Sequence, residues 1–205
     1  MNNAIIEAIK QRSSTNIFDA SRGITDERIG ELISLATLAP TAFNLQNWRF
    51  IAVRTVAEKI RLRKLAYDQA KVSDAAVTFI VCGQLAEHSV MAERLAPSVE
   101  AGLMPAEMVA GWEGAAKGLY FGKPQTQRDE AIRTATFGAG ALISAAQAYN
   151  LSSSAMIGFD PDAVAREFEL AADEVPVMLL AVGFAAENNW PQKPRRPLSQ
   201  VLTLV

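Results

Sequence analysis

The sequence predicts an α+β layer structure. Helical segments are long and numerous, few segments read as strands, and residues 76–82 are β-branched without alternation, the pattern of a strand covered on both faces. Helices of this length alternating with so few strands do not make a regular βαβ array.

Residues 4–12 place Ile5, Ala8, Ile9 and Arg12 on one side at helical spacing, with Ile6 beside them, so a short amphipathic helix delivers Arg12 at its end. Thr25 is an N-cap, Asp26 and Glu27 suit the first turn, and Ile29, Leu32, Ile33 and Ala36 recur at three and four until Pro40 stops the pattern. Residues 49–53 read as a strand, 56–67 as a helix carrying Ile60, Leu62, Leu65 and Ala66, and 76–82 as a buried strand, which implies a central sheet. From 84 to 122 the chain is rich in Ala, Glu and Met, with Gly102, Pro105, Gly111 and Gly114 scattered through it; broken helices making an excursion from the main layer are expected. Residues 126–149 combine strong helix formers with a nearly continuous apolar half from Phe137 to Ala148, which predicts a helix buried all round. Gly158-Phe159-Asp160-Pro161 puts a capping Asp before a first-turn Pro and opens a helix to about Phe168. Residues 177–184 read as a further buried strand, and Pro191, Pro194 and Pro197 mark an extended tail ending in Val-Leu-Thr-Leu-Val.

A chain of 205 residues with 50% hydrophobic residues fits one domain, 1–205, with the helical excursion at about 84–122. Twenty basic residues against 22 acidic ones, spread along the chain, leave no nucleic-acid footprint and no acidic tail. One cysteine, Cys82, and one histidine, His88, exclude a disulfide framework, Cys-based zinc or iron–sulfur sites and His-rich metal sites. Cys82 reads as a buried, inert thiol, His88 as a surface residue in a polar helix, and Asp173-Glu174 as a loop and not a catalytic pair. The start, Met1-Asn2-Asn3, shows no basic leader with an apolar core, and the longest apolar runs are half of a membrane span, so a soluble cytoplasmic protein is expected. Gly138-Ala139-Gly140 lacks the third glycine of a dinucleotide fingerprint and lies within a helix; the sequence has neither a Gly-Lys-Ser/Thr loop nor a Gly-x-Ser-x-Gly elbow.

Three clusters carry chemistry. Arg12-Ser13-Ser14-Thr15-Asn16 sets a cation, hydroxyls and an amide where a helix stops, which suits either a phosphate or an ordinary helix C-cap. Residues 39–48, Ala-Pro-Thr-Ala-Phe-Asn-Leu-Gln-Asn-Trp, interleave amides with aromatics; a planar heterocycle needs hydrogen bonds at its edge and a flat wall at its face, and a polar loop pinned by Trp48 would show the same residues. Lys193-Pro194-Arg195-Arg196 places three cations on a stiff segment, either a second phosphate clamp or a solvated basic tail.

Taken in this order, the clusters resemble the FMN-dependent nitroreductase family. The likeness extends over Arg12-Ser13-Ser14 with Phe18, the run from Ala39 to Phe50, Asp68-Gln69 ahead of Val72 and Asp74, Ile157-Gly158-Phe159-Asp160, and Lys193-Pro194-Arg195-Arg196-Pro197-Leu198. It implies a three-layer α/β/α sandwich with a mostly antiparallel central sheet and dimer-forming helices, two FMN molecules at the interface of a homodimer, and NADH or NADPH as hydride donor. A nitroaromatic, quinone or similar small molecule would be the acceptor, in ping-pong fashion through one site. The flavin does the redox chemistry and no side chain need act as acid or base.

The resemblance assigns the FMN phosphate to Arg12, Lys193 and Arg195 with Ser13 and Ser14, leaving Arg195 and Arg196 interchangeable by a one-residue shift. It brings Thr41, Ala42 and Phe43 to the ring from the partner subunit, Asn44 and Gln46 to the loop or the ribityl side, Asp68 or Gln69 to the pyrimidine edge, and the backbone of Ile157 and Gly158 towards flavin N5. Asn16 stands where many relatives carry a cation near flavin N1 and O2, which predicts a lower reduction potential. Asn47 stands where a proline is usual and is expected to loosen its loop. Residues 97–122 would cover the ring and set acceptor preference. The alternative from another class is a flavin-free helical dimeric binding or regulatory module.

Overall fold

The computed structural model describes residues 4–205; the leader reading of Met1–Asn3 lies outside it. In chain order the elements are α1 (Ala4–Gln11), α2 (Asp26–Ala36), β1 (Trp48–Val53), α3 (Val56–Leu65), α4 (Ala70–Asp74), β2 (Val77–Gln84), α5 (Met91–Glu100), α6 (Met108–Tyr120), α7 (Pro124–Ala148), β3 (Ser152–Met156), α8 (Pro161–Glu167) and β4 (Glu174–Gly183). The caps expected at Thr25 and Asp160 form, and Thr55 supplies a third. Thr25 Oγ1 accepts from the Arg28 N–H, Thr55 Oγ1 from Glu58, and Asp160 Oδ1 from Ala163, each occupying an otherwise unpaired first-turn donor.

The four strands form one antiparallel sheet in the order β1-β2-β4-β3. Along β2 the apolar residues alternate between two cores, because successive side chains of a strand point to opposite faces. Ile80 and Cys82 meet Leu62 of α3, Val72 of α4 and Val164 of α8. Phe79 and Val81 meet Leu32 of α2 and Ala135, Ala139 and Leu142 of α7. This is the α+β fold read from the sequence, with helices on both faces of the sheet.

Helix α7 lies so close to the sheet that each side of the contact requires a glycine, Gly83 on β2 and Gly138 on the helix. A Cβ on Gly83 of β2 would run into the Ala131 backbone carbonyl, and one on Gly138 would come within 2.8 Å of the Phe50 ring. The helix is not buried all round, however. Gly138, Ala139, Leu142, Ala145 and Ala146 are buried, while Arg133, Thr136, Phe137, Gly140 and Ser144 form an open face on which Phe137 is 57% exposed. Small residues spread around the helix had disguised the two faces as one apolar surface.

The excursion expected at 84–122 consists of a 3-10 turn at His88–Val90 and helices α5 and α6, with a small core of its own built on Leu45, Met91, Leu95, Ala116 and Tyr120. His88 is not on the surface: its side chain is 14% exposed, its ring meets the edge of Phe121, and its Nδ1 abuts the Glu87 carboxylate. Strand β3, Ser-Ser-Ser-Ala-Met, carries no strand signal in its residue types and forms because β4 offers it a partner. Glu174 begins β4 and is not in a loop; its buried carboxylate accepts from Arg49 Nη1 at 2.8 Å and from the Ala171 N–H at 2.9 Å. Cys82 is buried as expected, and burial, followed by the nearby Glu174 charge, pushes its thiol up to about 12. Among the described residues no helix is long and apolar enough to cross a membrane.

Candidate functional site

Two distant stretches of chain meet at the β3–β4 end of the sheet. Thr15 N–H donates to Ser153 O at 3.0 Å, Asp19 N–H to Phe184 O at 2.8 Å, and Ala186 N–H to Ile17 O at 3.0 Å, which sews residues 15–19 to β3 and to the start of the C-terminal tail. Asn189 completes the seam. Its Oδ1 accepts from the Asn16 and Ile17 N–H groups at 2.7 and 2.9 Å, while its Nδ2 donates to Ile17 O and Ala186 O at 2.7 and 2.9 Å. All the bonding capacity of that amide is thereby spent on backbone.

The tail then turns over the end of α1. Gln192 Nε2 donates to Arg12 O at 2.8 Å and Gln192 Oε1 accepts from Arg195 Nη2 at 2.9 Å. Ser14, Asn16, Trp190, Gln192, Lys193 and Arg195 line one pocket, and Arg12 and Ser13 line a second with Gln147 and Ser153. Arg196 is turned the other way, donating to Gln200 Oε1 and Gln200 O at 3.2 and 2.9 Å. Of the two interchangeable arginines, the pocket therefore contains Arg195.

A further cation joins them. Lys71 Nζ, on α4, lies 3.4 Å from Asn16 Oδ1, and its pKa is lowered first by burial and then by Lys193. Among the described residues none of Arg12, Lys71, Lys193 and Arg195 has a carboxylate partner, so positive charge accumulates here without internal compensation. Such a cluster attracts a multiply charged anion.

Beside Lys71, Gln69 Nε2 donates to Gly158 O at 2.7 Å and to Ala66 O at 3.0 Å, so residues 69 and 158 adjoin. A Cβ on Gly158 would approach that amide nitrogen to 3.2 Å, and Ile157 next to it is 84% exposed. Tyr67 and Asp68 hold left-handed backbone, φ 52° and 57°, at the turn leading in. Asp68 is engaged with Arg63, Oδ1 to Nε 2.7 Å.

Thr41, Ala42, Phe43, Asn44 and Gln46 are not brought to these pockets within the chain. Their loop sits against the excursion, where the Phe43 ring meets Trp112 and Tyr120 edge-on at 6.0 and 6.3 Å. Phe43, Asn44 and Gln46 have φ of 54°, 53° and 48°. Left-handed backbone costs a residue with a Cβ about 1–2 kcal/mol, so three in four positions mark a loop held in an unusual shape by its surroundings. Thr41 Oγ1 helps by accepting from the Gln46 N–H at 3.1 Å. Asn47 does not loosen the loop: its Nδ2 donates to Gln84 O at 2.8 Å and its carbonyl accepts from the Gln84 N–H at 2.8 Å, tying the loop to the end of β2.

The sequence model of the nitroreductase family matches residues 9–184. The chain belongs to the nitroreductase family. It is 31% identical over 198 residues to YodC of Bacillus subtilis, which bears an NAD(P)H nitroreductase name, with 97% of each chain covered. It is 32% identical over 174 residues to a protein of Thermus thermophilus named NADH dehydrogenase, covering 84% of this chain and 82% of that one. A structure from Exiguobacterium sibiricum, solved in complex with FMN, superposes with a TM-score of 0.90 at 27% identity, covering 98% of this chain and 97% of that one.

Sequence reasoning missed three residues that build this corner: Gln192, which lines the pocket, and Lys71 and Asn189, which bond to its edge. Lys71 follows the Asp68-Gln69 pair by two positions and stands next to Asn16, the position read as lacking a cation. Asn189 and Gln192 are amides in a polar tail, and nothing in their residue type shows that they bond to residues some 170 and 180 positions away. The one signal available was Asn188-Asn189-Trp190-Pro191-Gln192, amides around an aromatic, as in the loop at 44–48.

Proposed function

We propose that this chain is an FMN-dependent oxidoreductase of nitroreductase type. When bound, FMN would accept hydride at N5 from NADH or NADPH and afterwards reduce a nitroaromatic, quinone or similar acceptor, in ping-pong order. The observation that carries the reading is the uncompensated cluster of Lys71, Lys193 and Arg195, joined to Arg12 through Gln192, next to the contiguous pair Gln69 and Gly158. A phosphate monoester needs several charge-assisted donors, and a flat ring needs polar edges without bulk, as a glycine beside an amide provides.

In this reading Arg12, Lys193 and Arg195, with Ser13 and Ser14, hold the phosphate. Asn16 and Lys71 face the N1–O2 edge, Gln69 or Asp68 the pyrimidine edge, and the Ile157–Gly158 backbone the N5 side. Lys71 supplies positive charge next to Asn16, so the reduction potential need not be as low as Asn16 alone implies. Arg196 takes no part.

The protein acts as a homodimer, which delivers Thr41, Ala42 and Phe43 of one subunit, with Asn44 and Gln46 behind them, to the ring held by its partner. The open apolar face of α7 around Ile132 and Phe137 supports this. Residues 1–205 work as one domain, in the cytoplasm, where reduced nicotinamide is available. The test is direct. The purified protein should be yellow, bleach on anaerobic addition of NADH or NADPH, and regain colour with a quinone. A colourless dimer that FMN fails to stabilise would favour the flavin-free module.

A further inference from the structure

A site that holds a phosphate with several cations must first hold those cations near one another, and like charges do not gather unaided. At interior or surface dielectric they repel, and long side chains lose rotamer entropy when fixed. Acidic residues often solve the problem by pairing with the cations, at the cost of cancelling the charge the ligand requires. Here the group between Arg12 and Arg195 is neutral.

The Gln192 side chain spans the two. Its amide N–H donates to the Arg12 carbonyl at 2.8 Å, which fixes the end of α1 from which the Arg12 side chain departs. Its amide oxygen accepts from Arg195 Nη2 at 2.9 Å, and Arg195 Nη1 is held a second time by Lys193 O at 3.2 Å. Two of the five guanidinium N–H groups are used, the plane of the fork is set, and the remaining donors keep their full charge. A glutamate at this position would hold Arg195 equally well and neutralise it. A leucine would leave it free.

Resting on the FMN reading above, we propose that Gln192 is a positioning residue that directs the Arg195 guanidinium and the Arg12 segment onto one phosphate monoester, and thereby makes the chain selective for FMN over riboflavin. The two flavins share the ring and the ribityl chain and differ only in the phosphate, which carries about −1.5 to −2 charges at neutral pH. Gln192 is exposed, so its replacement leaves the core intact.

The experiment is reconstitution of the full-length, deflavinated protein with FMN and, separately, with riboflavin, followed by quenching of flavin fluorescence. The wild type should prefer FMN. Gln192→Leu should lower FMN affinity about tenfold, the equivalent of about 1.4 kcal/mol, and leave riboflavin affinity unchanged. Gln192→Glu should reduce FMN affinity further and again spare riboflavin. The flavin-free melting temperature should be the same in all three proteins. A wild type that prefers FMN while both variants keep the same FMN-to-riboflavin ratio would overturn the inference and leave the phosphate site standing. Equal loss of both flavins would overturn it too, since a general structural role does not distinguish them. A wild type that binds the two flavins equally would remove the inference and the phosphate assignment together.

Discussion

The cationic corner and the excursion are built on opposite principles. At the corner, residues 12–17, 69–71 and 186–195 come from three parts of the chain and are fastened to each other and to the sheet by directional bonds, most of them amide to backbone. The excursion is one continuous stretch, α5 and α6, held by a satellite apolar core and reaching the rest mainly through Leu45 and the Phe43 ring. Hydrogen bonds specify position within tenths of an ångström, whereas apolar contact tolerates sliding and repacking. The corner therefore suits an invariant ligand and the excursion a variable one. On the proposed reading, that would divide cofactor binding from acceptor preference.

The glycines allow the sharpest attack on this contrast. Gly83→Ala, under α7, should destabilise the fold by about 3 kcal/mol or more, because the obstructing atoms are backbone and cannot rotate away. Thermal or urea unfolding checks it, and a loss below about 1 kcal/mol would mean that the helix–sheet layer is looser than described. Arg195→Ala comes next. Removal of a charged donor costs about 1.5–3 kcal/mol, so FMN affinity should fall by about 10–100-fold, while Arg196→Ala should have little effect because its guanidinium is committed to Gln200. Equal effects of the two substitutions would erase the distinction drawn between them.

Trp112→Ala tests the other region. It removes the ring against which Phe43 packs, and should change kcat/KM for bulky acceptors by about fivefold, near 1 kcal/mol, with FMN affinity held within about twofold. A parallel loss of FMN affinity would show that the two regions are not separable. The smallest effect is expected at Gly114 of α6, whose added Cβ would meet nothing within 4 Å. Gly114→Ala should stabilise the excursion by about 0.5–1 kcal/mol, the opposite sign to Gly83→Ala, measurable as slower hydrogen exchange across α5 and α6.

What could be read in the sequence follows the same division. Local signals were sufficient where the structure is local: the caps at Thr25 and Asp160, the β-branched run of β2, and the glycine- and alanine-rich excursion. Where an element exists only because a remote partner completes it, residue types were silent. Ser152–Met156 becomes a strand because β4 and the segment at Ser14 flank it, and the open face of α7 is hidden by small residues that serve either side equally. The candidate site was legible as clusters of cations and amides, and Ser14, Asn16, Lys193 and Arg195 do share a pocket. The choice between Arg195 and Arg196, the presence of Lys71 beside Asn16 and the anchoring of Asn47 to Gln84 all depend on side-chain direction. Direction is set by packing and not by spacing.

The central claim is that guanidinium groups from the two ends of the chain act on one phosphate. A crystal structure of the protein grown with FMN tests it most directly. The account predicts the phosphate within hydrogen-bond reach of Arg12 and Arg195, with Gln192 between the two arginines and Phe43 of a second subunit at the ring. Flavin bound elsewhere, or a phosphate contacted by Arg196 with Arg195 facing solvent, would contradict it.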